Sequence, residues 1–455
     1  MIIFKSLFSL LVPILSGVAL IHIIWKKRDA NSIFLKLFLG TGIGLGVNSL
    51  LYFVYLLLFE RQSGYFIFQI LYLSVLMLFV FFQEKNTPFV LKKLKTPTKL
   101  QILFIIITMV IVILTVSIFL IIATRNSYGL WDAWSMYNRT ARFIFRGDAL
   151  WRDAFSSTLK GFHADYPPLV ALNVASGWSA IGKETNQIPI AISGAFLFGT
   201  VGLLFTSINA HKTLGQATLA IGSLLGVSGF IRMGAAQMAD IPLAFFILAT
   251  GVLLYTYSAT EKEGVLVLAG LSAGLAAWTK NEGFVFALIS IFPFIFVYHK
   301  NIMKKLSWFL LGISFPLVIV IFFKLTLAPP NDLFQSLPEQ IYQVINLKRH
   351  GYILKSFLMS VGTWGNWGLY FIYIVVFGIN IKKKTIPAVK LILIILLFQL
   401  FTYYSIFIIT PHSLSWHLRA YPRILLQVAP LFFFFYFSIV QPPESIFKSI
   451  QMKRE

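Results

Sequence analysis

Long apolar runs recur from one end of this chain to the other, and short basic joints separate them. A helix needs about 20 residues to cross the hydrocarbon core of a bilayer. Runs near 5–25, 33–59, 65–82 and 100–123 meet that length before a third of the sequence has passed. Transmembrane strands would instead give segments of about ten residues with alternating polarity, and no such pattern occurs. Apolar residues make up 58% of the 455 positions and charged ones 12%, too little polar surface for a soluble domain of this length. The fold expected is all-α, a polytopic integral membrane helical bundle forming one membrane domain over 1–455.

A net charge of +22 would suit a nucleic-acid binder, so the placement of the basic residues decides. They gather in joints: Lys26, Lys27 and Arg28; Lys85, Lys92, Lys93, Lys95 and Lys99; Lys300, Lys304 and Lys305; Lys382, Lys383 and Lys384; and the tail with Lys453 and Arg454. That is the signature of cytoplasmic loops. No soluble module offers a basic face, so membrane lipids are the expected partners and nucleic acid is not. The chain has no cysteine, which excludes disulfides, thiolate metal sites and a cysteine nucleophile. The run near 6–25 lacks a small-residue cleavage site and precedes a Lys-Lys-Arg triplet. It is expected to be a first span with its N-terminus outside, not a removable signal peptide.

Parity then orders the rest. Seven apolar segments (100–123, 168–181, 188–208, 215–231, 241–258, 264–279 and 283–298) separate the basic joint ending at Lys99 from the one starting at Lys300. Two cytoplasmic joints require an even number of crossings, so one segment does not cross. The shortest, 168–181, contains Asn173, Ser176 and Ser179, and is expected to be an amphipathic or re-entrant piece at the outer interface. With spans near 307–326, 353–380, 386–409 and 424–440, the total is about thirteen and the C-terminus is cytoplasmic. The chain divides into four opening spans (1–123), an extracytoplasmic loop (124–187), a middle section (188–326) and C-terminal spans and loops (327–455). Gly40, Gly42, Gly44 and Gly46 lie inside the second span without a preceding strand, so helix packing is their expected role, not nucleotide binding.

The loop carries the chemistry. Trp131, Trp134 and Trp151 share it with Arg139, Arg142, Arg146, Arg152 and Lys160, and helical spacing from about Asp132 to Phe145 predicts an amphipathic helix at headgroup level. Asp132 stands between two tryptophans just after a span ends. A carboxylate there loses water on its apolar sides and suits proton abstraction, while Arg139 and Arg142 can grip a phosphate through forked hydrogen bonds. A carboxylate base with a guanidinium clamp is what attack on a sugar–phosphate bond requires. An Asp–Arg pair stapling the loop is the plainer alternative. The triplet Asn138-Arg139-Thr140 matches a glycosylation acceptor by chance within this helix.

Three stretches resemble the first outer loop of the GT-C glycosyltransferases: Trp131-Asp132-Ala133-Trp134, Ala141-Arg142-Phe143, and His163-Ala164-Asp165-Tyr166-Pro167-Pro168-Leu169. The protein mannosyltransferase-like and aminoarabinose transferase-like members (family 39-like) are similar. The resemblance continues in Ala239-Asp240-Ile241-Pro242-Leu243 and Thr279-Lys280-Asn281-Glu282-Gly283, and more weakly at Arg423. It implies a transferase taking sugar from a polyprenyl-phosphate lipid to an acceptor hydroxyl of protein, lipid or glycan on the extracytoplasmic face of the cell (plasma or inner) membrane. Asp132 would be the catalytic base, acting with inversion. Asp240 would be a second acid that binds metal or orients the acceptor, unless it caps its helix. Lys280 and Glu282 either pair with each other or contact phosphate. His163, Asp165 and Tyr166 would shape the donor pocket or form the turn before Pro167. Arg419 and Arg423, with His412 and His417, add positive charge at that level.

Where many members carry two adjacent acids, Ala133 follows Asp132 here. One carboxylate is a thin shell for a hard cation, so the metal is unknown, a divalent Mg or Mn is left open, and no other cofactor is expected. The alternatives are an O-antigen polymerase or ligase, or a lipid or sugar transporter or flippase. Charges at span ends and the lack of an internal repeat weigh against transport.

Overall fold

The structure, a computed structural model, describes residues 2–26, 30–85, 97–159, 163–298, 301–331, 340 and 342–445. Of the basic joints, Lys27, Arg28, Lys92, Lys93, Lys95, Lys300, Lys453 and Arg454 lie outside the described residues, as does Lys160 of the loop. Among the described residues the fold is all-helical, with only an isolated bridge between Ile379 and Val440. Four helices open the chain: α1 (Ile2–Ile24), α2 (Ala30–Phe59), α3 (Tyr65–Glu84) and α4 (Lys99–Arg125). The loop holds α5 (Asn138–Gly147), entered through a wider π turn at Ala133–Tyr137, and α6 (Leu169–Ile181). Then come α7 (Gln187–His211), α8 (Leu214–Leu225), α9 (Phe230–Gly234), α10 (Asp240–Thr260) and α11 (Glu263–Ala277). The remaining helices are α12 (Asn281–Ile289), α13 (Pro293–Val297), α14 (Ile302–Thr326), α15 (Leu347–Gly362), α16 (Trp367–Phe377), α17 (Ile386–Ile409), α18 (Tyr421–Leu425) and α19 (Ala429–Ile439).

Among the described residues, eight helices are long and apolar enough to cross a membrane, and a pair bent by 43°, Leu414–Leu425 with Ala429–Ile439, makes up to nine. The stretches 215–231, 264–279, 283–298 and 353–380 are shorter or broken helices. Gly229 (φ +84°) separates α8 from α9, Pro293 restarts the chain as α13, and Gly365 (φ +122°) divides α15 from α16. Burial is graded across the bundle. Residues Asp240–Ser258 of α10 are all buried, whereas α4 buries only Thr115, Phe119 and Ala123 and exposes an outward row of Ile106, Ile113, Leu114 and Leu120. Such a continuous apolar face calls for an apolar surrounding.

The segment 168–181, expected as an amphipathic or re-entrant piece at the outer interface, forms α6 and packs inside the bundle. In α6 every residue from Leu169 to Trp178 is buried. Asn173, Ser176 and Ser179 recur every third residue and share one face, which turns into the bundle. Asn48 Nδ2 of α2 donates to Asn173 Oδ1 (3.0 Å) and Ser176 Oγ (3.2 Å), and Ser179 Oγ donates to Gln62 Oε1 (2.6 Å). The helix is not an amphipathic surface element, because its polar side is spent on α2 and the turn that follows it. A thirteen-residue helix is also too short to cross.

Contacts sort the helix termini into two ends. At one, Glu60 meets Arg152 (2.6 Å), Lys324 meets Asp165 (3.6 Å) and Arg423 meets Asp132 (2.5 Å). At the other, His22 meets Glu84 (2.8 Å), Lys304 meets Glu263 (2.7 Å), and Lys212 Nζ donates to Asn380 O (2.9 Å). Glycines bring helices together between these ends. A Cβ on Gly44 would lie 2.1 Å from Pro13 O of α1, and one on Gly42 would lie 2.1 Å from the Phe245 ring of α10. The glycines of α2 thus serve two packing faces, as expected of small residues in membrane helices.

The closest backbone seam joins α11 and α14. A Cβ on Gly312 would lie 1.9 Å from Val267 O, and one on Gly270 would lie 2.0 Å from Phe309 O. Gly312→Leu is expected to cost about 1–3 kcal/mol or more through overpacking, read as a lower melting temperature in detergent. Gly351→Ala in α15, where nothing lies within 4 Å of the added atom, should be neutral or stabilising by up to about 1 kcal/mol.

Candidate active site

The chain leaves α4 and turns through Gly129 (φ +77°). A Cβ there would sit 2.6 Å from Ala236 O, so only glycine allows this close a pass beside the turn preceding α10. Leu130 N donates to Ala236 O (3.2 Å), Gln237 Nε2 to Ser127 O (3.1 Å), and Asn138 Nδ2 to Gln237 Oε1 (2.9 Å). These bonds hold the segment of Asp132 against the start of α10, where Asp240 is the first residue. Asn138 is buried and engaged, which removes it as a glycosylation acceptor.

Five ionisable side chains meet at this junction. Arg423 Nη1 donates to Asp132 Oδ2 at 2.5 Å, and Arg423 Nε lies 3.5 Å from Asp240 Oδ2. Lys280 stands between α11 and α12 with an extended backbone (φ −157°, ψ 162°), and this break turns its ammonium inward. There it lies 3.1 Å from Asp240 Oδ1 and 3.0 Å from Glu282 Oε1. Gln427 Nε2 also donates to Asp240 Oδ1 (2.7 Å), and Tyr403 OH donates to Gln427 Oε1 (2.7 Å). Asp240 therefore does not cap α10 with its side chain; its carboxylate is committed to buried partners.

The cluster has two layers. Asp240 and Lys280 are buried, at 1% and 3% side-chain exposure, whereas Asp132 and Arg423 remain 23% and 29% exposed. Burial alone would pull Lys280 down, but Asp240 and Glu282 outweigh it and hold the ammonium well above its usual range. Tyr137 is buried in the field of Lys280, Asp240, Asp132 and Arg423, and burial pushes its phenol well above the usual range. Tyr166 lies with its ring 5.7 Å from Lys280 Nζ. Tyr137, Tyr166 and His163 also line a small pocket with Met136, Thr140 and Phe155.

Not every expected site residue joins this group. Arg142 Nε lies 3.4 Å from Glu184, and its guanidinium stacks over Trp178 at 5.8 Å. Arg146 holds the same Glu184 at 2.5 Å, and this pairing keeps the Glu184 carboxyl below its usual range. Arg139 is partly buried on α5. Asp165 is a clamp. Its Oδ2 accepts from Asn281 Nδ2 (2.8 Å) and Asn331 Nδ2 (2.9 Å), while its carbonyl accepts from Lys324 Nζ (2.5 Å). That clamp ties the loop before Pro167 to α12 and the end of α14. His163 (φ +46°) opens the turn, with its ring 5.1 Å from that of Tyr166. Arg419 is exposed on the loop before α18 and makes no contact with the acids; His417 Nδ1 lies 2.7 Å from Thr410 Oγ1.

The helix over the loop follows the expected period, but Trp134 and Phe143 point outward. Its inner face is Ala133, Met136, Tyr137, Ala141 and Ile144. Tyr137, Gln427, Tyr403, Lys324 and Asn281 complete the site without having been singled out in the sequence. Lys324 and Gln427 do leave a signal, as isolated polar groups beside or within apolar runs.

The side chains present do not fit a divalent metal. The Lys280 ammonium already fills the space between Asp240 and Glu282, Asp132 is bonded to a guanidinium, and no three acidic or histidine side chains converge on one point among the described residues. Mg or Mn therefore takes no part in the chemistry derived below.

Removing one partner of a buried ion pair leaves a charge without compensation. Lys280→Met is expected to cost about 3–5 kcal/mol on that ground, measured by denaturation in detergent. Lys304→Met, which breaks the exposed pair with Glu263, should cost below about 1 kcal/mol. Compared with family models, curated proteins and solved structures, the chain matches none, so the reading of its function rests on this geometry.

Proposed function

We propose that the protein is a membrane glycosyltransferase. It moves a sugar from a polyprenyl-phosphate lipid to an acceptor hydroxyl of a protein, lipid or glycan on the extracytoplasmic face. The observation that carries this reading is the partly exposed pair of Asp132 and Arg423 beside the buried pair of Asp240 and Lys280. An acid and a guanidinium at one helix-end level are the two groups that inverting transfer from a lipid phosphate needs. The resemblance of Trp131–Trp134 and His163–Leu169 to the GT-C loop points the same way.

In this reaction Asp132 accepts the proton of the acceptor hydroxyl. The oxygen attacks the anomeric carbon, the bond from that carbon to the phosphate oxygen breaks, and its electron pair leaves with the phosphate. Arg423 offsets the charge gathering there, since Lys280 is enclosed by its two acids and serves to fix Asp240. Tyr137, His163 and Tyr166 bound the adjoining pocket. Attack opposite the leaving phosphate inverts the anomeric centre.

The topology that belongs to this reading has about thirteen crossings, an outer N-terminus and a cytoplasmic C-terminus. Eight long helices and the bent pair account for nine of them, and the shorter α8, α11, α12 with α13, and α15 with α16 supply the rest. The clustered end is then extracytoplasmic. The protein resides in the plasma or inner membrane, where a lipid-linked donor reaches the site laterally.

Membranes containing the protein are expected to transfer radiolabelled sugar from a polyprenyl monophosphate. Asp132→Asn should lower the rate by about 100-fold or more, the scale of a lost general base, with the melting temperature preserved. Retained transfer in that variant would remove Asp132 from the base role. Mass spectrometry of surface glycans and lipids, with and without the gene, then identifies the acceptor.

A further inference from the structure

Three carboxylates and two cations make up the cluster: Asp132, Asp240 and Glu282 with Lys280 and Arg423. Negative charge is in excess before any substrate arrives. An anionic phosphate cannot settle among these groups unless a cation is released to it. Lys280 is not available, being buried and shared by Asp240 and Glu282. Arg423 is. It is 29% exposed, and of its guanidinium donors only Nη1 makes a hydrogen bond among the described residues, the one to Asp132. Its Nε is buried without a hydrogen bond and faces Asp240 Oδ2, equally unbonded, at 3.5 Å. The guanidinium is thus anchored on its inner side by charge alone and held on its outer side by one bond.

We propose that Arg423 is a shared partner for which Asp132 and the phosphate of a lipid-linked ligand compete. In the ligand-free protein Arg423 occupies the Asp132 carboxylate and keeps it from taking a proton. An incoming phosphate draws the guanidinium to itself, and Asp132 is released to act only when a donor is in place. No bond is made or broken in this exchange; one charge-assisted contact replaces another. The arrangement also guards the site, because a base released only by the donor has no role while the chamber holds water alone. The inference rests on the lipid-phosphate reading above and adds to it an order of events.

The test is a binding cycle with farnesyl phosphate as probe, on the full-length protein in detergent, using wild type, Asp132→Asn, Arg423→Gln and the double variant. Removing the competitor should tighten binding, so Asp132→Asn is expected to bind about tenfold more tightly than wild type, the scale of one hydrogen bond to a charged group. Arg423→Gln should bind about tenfold more weakly, and in its presence Asp132→Asn should change nothing further. Asp132→Ala must move in the same direction as Asp132→Asn, and melting temperatures confirm that each variant is folded. Farnesol should show no dependence on either residue. Binding that is unchanged or weaker in Asp132→Asn overturns the competition, as does a lack of binding by all four proteins. A transfer assay run beside it separates the two ideas. Transfer by the wild type with unchanged binding in Asp132→Asn sinks only the exchange, whereas tighter binding in Asp132→Asn together with no transfer by the wild type sinks only the transferase reading.

Discussion

A charge taken out of water must be paired, and in this bundle that requirement falls on Lys280. Its ammonium is 3% exposed and stands between Asp240 and Glu282 at 3.1 and 3.0 Å. To reach them the chain interrupts two helices, with Lys280 extended between α11 and α12. Asp240 in turn binds Gln427, which leads to Tyr403 of α17. Four parts of the sequence (the start of α10, the α11–α12 break, α17, and the segment joining α18 to α19) are therefore held in one register by a single buried cation. The exposed pair above it, Asp132 with Arg423, inherits its position from that register.

The two layers divide the work. Buried ion pairs seldom add net stability, because desolvation offsets attraction, but they penalise any arrangement that separates the partners. The inner layer fixes geometry in this sense. The outer layer, with a hydrogen bond from Arg423 Nη1 alone, keeps its two groups near solvent and able to exchange partners. Neighbouring arginines are bound elsewhere: Arg142 and Arg146 to Glu184, Arg152 to Glu60. Those contacts brace the loop against α2 and α7 without entering the cluster.

Much of this was legible in the sequence wherever the signal is local. The apolar runs at 5–25, 65–82, 100–123 and 386–409 became helices of nearly those bounds, since length and hydropathy leave few alternatives. Asp240, Lys280 and Glu282 stood out as charges beside apolar runs, and the helix over 132–145 followed its period. What failed to show was partnership over distance. Asp132 and Arg423 are 291 positions apart, and nothing in either neighbourhood names the other. Arg142 looked like a phosphate clamp because Glu184, lying beyond the next helix, could not be placed beside it. The segment 168–181 was expected as an amphipathic or re-entrant piece, and nothing local shows that Asn48 and Gln62 take up its polar face. Breaks in α8–α9 and α15–α16 fall at Gly229 and Gly365, which adopt positive φ, but glycine also occurs within continuous helices such as α2, so the residue alone does not announce a break.

The claim on which everything else depends is that Asp132 and Arg423 face each other at one end of the bundle. The chain has no cysteine of its own, so the double variant Asp132→Cys with Arg423→Cys carries only the two thiols of interest. A short bifunctional thiol reagent, followed by proteolysis between the two positions, reports whether the fragments are joined. The account predicts efficient joining in native membranes, and none when Arg423→Cys is combined with Lys304→Cys at the opposite end. Fragments that separate in the first pair, while single-site labelling shows both thiols to be reactive, would contradict it.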